Sequence, residues 1–167
     1  MNQDATRQDA AANEGQPGTP TLSIEKIYVK DVSVEVPHAP EIFLERGEPQ
    51  IDIQLNNIAT SLGNHLFNAV LTVTVSAKLG EKALFLVEVH QAGIFRVMNV
   101  PPQELEAFLA IACPNILQPY AREVISDVIV RAGFPSVLLQ PINFEALYFA
   151  QKQEEAKKRQ EGTTAEG

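Results

Sequence analysis

Four stretches of the chain alternate apolar and polar residues with period two, and later stretches repeat apolar residues at helical spacing. In 27-IYVKDVSVEV-36, Val32, Val34 and Val36 share one face of a strand, and Asp31, Ser33 and Glu35 share the other. Ile27 and Val29 fall on the parity of Asp31, so the alternation is clean only from Val32 onward. The link 37-PHAPEIFLERGEP-49 carries three prolines and a glycine and predicts a loop, which leaves Ile42, Phe43 and Leu44 with no element to bury them. A second strand, 51-IDIQL-55, continues toward Ile58 and lines one side with Ile51, Ile53 and Leu55. The third, 67-FNAVLTVTVSA-77, sets Phe67, Ala69, Leu71, Val73 and Val75 against Asn68, Val70, Thr72, Thr74 and Ser76. After the turn 78-KLGE-81, the fourth runs through 83-ALFLVEVHQ-91, with Phe85, Val87 and Val89 on one face and Leu84, Leu86, Glu88 and His90 on the other. Short links between the last three strands predict an antiparallel meander.

Past 93-GIF-95 the period becomes helical. Leu105, Phe108, Leu109 and Ala112 follow Pro101 and Pro102, with Glu104 and Glu106 near the helix start. Pro114 and Pro119 predict that the helix is interrupted and restarted there. From 119 to 132, Arg122, Glu123, Ser126, Asp127 and Arg131 form a polar face opposite Tyr120, Val124, Ile125 and Val128. Gly133 stands where a helix C-terminal glycine belongs, and Asn143 is placed to cap a last helix carrying Phe144, Leu147 and Tyr148. Strands followed by helices give the α+β class, a four-stranded antiparallel sheet with helices packed on one face. Residues 1–21 and 154–167 are too polar to offset their ordering entropy and are expected to be a disordered and a flexible tail around a single domain, 22–153.

The length of 167 residues suits one domain with a real core. A net charge of −8 argues against nucleic acid or an anionic membrane as partner and toward a basic one. One cysteine makes no internal disulfide and fits a reducing compartment. The N-terminal stretch lacks the apolar core of a signal peptide, and no apolar run reaches the length of a membrane span. The expectation is a soluble, cytoplasmic protein with no direct membrane insertion.

Chemistry-bearing motifs are scarce. Cys113, just before Pro114, reads either as a thiolate favoured by a helix N-terminus or as a small buried hydrophobe, and no base motif accompanies it. His38, His65 and His90 match no metal-ligand spacing, and neither a phosphate-binding glycine loop nor a nucleophile elbow is present. No catalytic residue, metal or cofactor is assigned, and the protein is expected not to be an enzyme. The sheet faces say more. Leu86 and Glu88 point the same way on strand four, and Asp31 and Glu35 lie on the polar face of strand one. A leucine ringed by acids reads as a docking patch for a basic segment with an apolar anchor, or as an ordinary solvated face. Ile27, Val29, Phe43, Leu44, Ile51, Ile53 and Leu55 exceed what one small sheet and its helices can hide, which implies oligomerisation or an open groove.

The segments 27-IYVKDVSVEVPHAP-40, 70-VLTVTVSAKLGEKALFLVEVHQAGIF-95, 113-CPNILQPYARE-123 and 133-GFPSVLLQPINFEALY-148 resemble the SecB family of bacterial export chaperones. The resemblance spans nearly all of the body between the tails. It implies a Greek-key order for the sheet, with 37–49 as the crossover loop, and a homotetramer built as a dimer of dimers. It further implies an ATP-independent chaperone that holds unfolded secretory preproteins and passes them to the translocation ATPase SecA. By that resemblance Asp31, Glu35, Leu86 and Glu88 would dock the zinc-bearing, basic C-terminal region of SecA, the zinc belonging to SecA. Phe43, Leu44, Ile51, Ile53, Leu55 and Leu147 would line client grooves. An adaptor that docks on an ATPase without holding clients is the competing expectation. Where family members often carry a tryptophan late in the crossover loop, this chain has 45-ERGEP-49 and no tryptophan anywhere.

Overall fold

The computed structural model of the chain describes residues 18–164. Strands β1 (Thr21–Glu35), β2 (Gln50–Gly63), β3 (Leu66–Leu79) and β4 (Lys82–Met98) precede helices α1 (Pro102–Arg131) and α2 (Phe144–Thr164). One turn of 3-10 helix, Glu41–Leu44, interrupts the link between β1 and β2. The sheet order is β1-β4-β3-β2 with every neighbouring pair antiparallel. Tight hairpins join β2, β3 and β4, whereas the 36–49 link carries the chain from one edge of the sheet to the other, which is the Greek-key connection. Asn64 and His65 both take positive φ, the geometry that matches a two-residue hairpin turn to the twist of its strands.

Strand β1 resolves the parity problem of its sequence. Register shifts fall between Ile24 and Lys26 and between Val29 and Asp31, so Glu25 and Lys30 are extra residues. Each bulge moves the side-chain parity by one. Leu22, Ile24, Ile27, Val29, Val32 and Val34 therefore share one face, opposite Val97, Phe95, Gly93, Gln91, Val89 and Val87 of β4. The alternation predicts a strand only from Ile27, and an end of β4 near Gln91. Both strands instead continue, to Thr21 and Met98, because the bulged end of β1 pairs with the second half of β4. Gly93 on β4 makes room for this packing: a Cβ there would lie 2.8 Å from the Phe95 ring and 3.1 Å from Ile27 Cδ1.

The core lies between the sheet and α1, where Leu71, Val73, Val75, Val87, Val89 and Phe95 meet Leu109, Cys113, Leu117, Ala121, Ile125 and Ile129. The helix residues recur every four positions, one ridge running across β4 and β3. Helix α1 is continuous, contrary to the expected break at Pro114 and Pro119. Each proline deletes one backbone donor. The Asn115 side chain donates to the Ile111 carbonyl at 2.9 Å beside the first gap, and the fully buried ridge on the sheet holds the helix through both. The same ridge corrects the face assignment: Ala121, Ile125 and Ile129 face the sheet, while Tyr120 is exposed and Val124 and Val128 are only half-buried.

At its C-terminus α1 closes as expected on Gly133. Phe134 N–H donates to the Ile129 carbonyl and Gly133 N–H to the Val130 carbonyl, with Gly133 at φ +93°. The turn aims Phe134 between Phe85 and Phe43, at centroid distances of 5.0 and 5.2 Å. A Cβ on Gly133 would meet the Phe43 ring at 3.0 Å. Gly133→Ala is therefore expected to destabilise the fold by about 1–3 kcal/mol, from the positive φ alone or with added crowding, read as a lowered denaturation midpoint.

Asn143 caps α2 as expected, accepting the Ala146 N–H at 2.9 Å on its side chain. The helix then runs to Thr164, past the residue-153 boundary and through most of the expected flexible tail. Alanine, glutamate, lysine, arginine and glutamine are all strong helix formers, and Lys152 fastens the segment to Glu106 of α1 at 2.5 Å. The expected tail residues 1–17 and 165–167 lie outside the described residues.

Candidate functional site

The two faces of the sheet differ in chemistry. On the face away from the helices, Asp31 stands opposite His90, Ser33 opposite Glu88, and Glu35 opposite Leu86. The four residues expected to dock a basic partner thus lie on one surface, with Leu86 38% exposed among exposed Asp31 and Glu35 and half-buried Glu88. Glu88 does not stand alone. Its Oε1 accepts from His90 Nε2 at 2.8 Å, and its Oε2 accepts from Thr74 Oγ1 at 3.0 Å. An ionised carboxylate can only accept, so Nε2 carries the proton and the Nδ1 of a neutral ring accepts from Thr72 Oγ1 at 3.2 Å. The hydrogen bond from His90, then that from Thr74, lowers the Glu88 carboxyl below the ordinary carboxylate value. The acid is held both ionised and oriented.

The opposite face is apolar, and α1 does not cover its edges. On β2, Ile51, Ile53 and Leu55 pair with Ala77, Val75 and Val73 and point to the helix side. Ile51 and Ile53 are nonetheless 40% and 42% exposed, because α1 packs mainly on β4 and β3. Leu55 is half-buried and lines, with Leu71, Phe144, Leu147 and Tyr148, a cavity between β2 and the helices. The structure thus brings Leu55 and Leu147 together. Phe43 it places elsewhere, stacked on Phe134 and 48% exposed, beside Leu44 at 83%. Buried Ile42 anchors that turn, and an ion pair of 2.6 Å from Lys82 to Glu45 ties the crossover loop to the β3–β4 turn. Late in that loop, Gly47 lies against Leu79.

Sequence reasoning placed His90 on the face of Glu88, and Thr72 and Thr74 on one face of β3, but missed that the four form one network. The period-two spacing 88/90 and 72/74 was the available signal; the missing piece was the register Thr74↔Glu88 and Thr72↔His90. Phe134, Phe144 and Tyr148 were missed as lining because sequence distance hides their contacts. Cys113 sits mid-helix rather than at a helix start, fully buried, and loss of hydration pushes its thiol up to about 12. A thiol protonated at neutral pH and closed to solvent is packing, not a nucleophile. No helix is long and apolar enough to cross a membrane, among the described residues.

The family model described as preprotein translocase subunit SecB matches residues 15–155. The protein-export protein SecB of Dechloromonas aromatica is 60% identical over 137 residues, covering 82% of this chain and 90% of that protein. That of Methylobacillus flagellatus is 55% identical over 150 residues, covering 90% and 94%. Among solved structures, a SecB-like chaperone of Mycobacterium tuberculosis, in complex with an antitoxin peptide, superposes with a TM-score of 0.61 at 17% identity, covering 72% of this chain and 90% of that one. The fold agrees with that neighbour and the sequence with its relatives: the chain belongs to the SecB family of protein-export chaperones.

Proposed function

We propose that the protein is an ATP-independent holdase of the cytoplasm that keeps secretory preproteins unfolded and delivers them to SecA. The observation that carries this is the division of labour across one sheet. An oriented acidic patch faces one way, and exposed Ile51, Ile53, Phe43 and Leu44 lie on or beside the other face. Broad apolar surface with few directional polar contacts binds many sequences weakly and releases them. Several such grooves on one assembly engage one long chain, so avidity replaces tight local affinity. The acidic patch would receive the basic, zinc-bearing C-terminal region of SecA, with Asp31, Glu35 and Glu88 supplying charge and Leu86 the apolar contact.

The assembly is proposed to be a homotetramer. Edge strand β1 exposes Ile24, Val29, Val32 and Val34 along one face, a stripe that a second copy would cover. The long helix α1 presents exposed Tyr120 and Val130 for a further contact. Light scattering on the eluted protein is expected to give four subunits, and the same material should delay the aggregation of an unfolded preprotein without ATP. A monomer that leaves aggregation unchanged would overturn the reading.

A further inference from the structure

His90 has no part in the reading above, yet it holds the residue at the centre of the acidic patch. We propose that His90 is a positioning and pH-regulating residue for docking on this face: neutral, it orients Glu88 toward a cationic partner, and protonated, it engages Glu88 as an internal ion pair. The inference rests on the acidic face being the docking surface for SecA.

The geometry leaves the ring few alternatives. Its two nitrogens are committed to Glu88 Oε1 and Thr72 Oγ1, while Thr74 holds the second carboxylate oxygen. Three side chains on two strands thus fix one carboxylate, and each carboxylate oxygen retains capacity for a further donor. Such preorganisation removes the ordering cost that a free glutamate would meet on binding. Protonation changes the balance without moving the ring, since a threonine hydroxyl can donate to Nδ1 or accept from it. The ring then adds one positive charge to the patch and neutralises the acid it touches.

The charged groups around the pair are few. Strand β1 presents Asp31, the register partner of His90, with Glu35 further along, and Lys30 lines the same depression as Glu88 and His90. Strand β3 brings Thr72 and Thr74 to the pair, flanked by uncharged Val70 and Ser76, and beyond it β2 presents Asn56 and, opposite Ser76, Asp52. The helices pack on the other face. With the ring neutral the patch is acidic with one lysine beside it, and a proton taken up by the ring removes one unit of its net negative charge.

The test titrates the intact protein with the zinc-loaded C-terminal segment of SecA at pH 7.5 and 6.0. His90→Ala should weaken binding about three- to tenfold at pH 7.5, the range for one oriented charged contact at a wet interface. His90→Gln keeps an N–H for Glu88 and cannot titrate, so it should bind within about twofold of wild type at pH 7.5. Its loss of affinity on going to pH 6.0 should be smaller than that of wild type, and this difference cancels any titration of the segment itself. Thr74→Val removes the other donor and should weaken binding without changing the pH slope. Wild-type affinity in His90→Ala would overturn the positioning role, and a wild-type slope in His90→Gln would overturn the regulation. Glu88→Gln separates the two readings: if it too binds as wild type, the docking surface lies elsewhere and the inference falls with it. If it weakens binding while both His90 variants match wild type, only the inference fails.

Discussion

Replacing Ile51 and Ile53 together by aspartate is expected to abolish suppression of preprotein aggregation at stoichiometric chaperone, with docking on SecA unchanged. Both side chains point to the helix side of β2, yet about two-fifths of each remains exposed. A client segment laid along β2 would bury that remainder, worth about 1 kcal/mol per side chain at the usual coefficient for apolar area. Aspartate removes the gain and adds the cost of desolvating a charge against an apolar client, so each contact weakens about a hundredfold in all. If a long client is held at several grooves of the proposed tetramer at once, the loss multiplies across the assembly. The fold should persist, since the edge strand carries the changes where water already reaches. Aspartate is a poor strand former, and a fall of about 1–2 kcal/mol in stability is the expected side effect, checked by denaturation. Protection that survives the double substitution, with the protein folded, would favour the adaptor that docks on an ATPase and holds no clients. The pair is a cleaner probe than Phe43, whose ring also packs on Phe134 at the end of α1.

The contrast between these positions shows what a sequence can carry. Strands β3 and β4 were legible because strict alternation survives wherever a strand pairs on both sides without a bulge, as from Ala69 to Ala77. The same rule failed on β1, where Glu25 and Lys30 each shift the parity, and the period then reads as noise although every aliphatic residue shares a face. The prolines of α1 misled for a different reason. Propensity argues for a break, but a helix whose four-residue ridge is buried from Leu109 to Ile129 gains far more from the sheet than two missing backbone hydrogen bonds cost. In the candidate site, the face of each residue was readable from parity, so Asp31, Glu35, Leu86 and Glu88 fell together. The bonds among His90, Glu88, Thr72 and Thr74 were not, because they depend on the register between β3 and β4, which no single strand contains.

Reversing the charge at Glu35 and Glu88 to lysine should weaken binding of the SecA segment at least a hundredfold and leave client holding nearly intact. Glu35 is exposed, so its reversal acts mainly through the field of the patch: a favourable contact becomes a repulsive one, and approach of a cationic partner slows. Glu88 contributes more per residue, because its carboxylate is oriented by His90 and Thr74 before the partner arrives. A lysine there leaves both donors without their acceptor and sets a second cation beside His90 and near Lys30. Salt separates this effect from a change of shape. Wild-type affinity should fall steeply between about 0.05 and 0.5 M salt as screening shortens the reach of the patch, whereas the residual binding of the variant should stay flat or rise slightly. Leu86→Ala should cost less, about tenfold at most, and should show the salt slope of wild type, because the leucine is an exposed apolar contact rather than a charge. Loss of client holding together with docking in the charge-reversed protein would mean that this strand face supports the assembly itself. The proposed client grooves lie on the opposite face of the sheet, so a surface effect confined to β1 and β4 has no direct path to Ile51 and Ile53 on β2, two strands from β4 and three from β1.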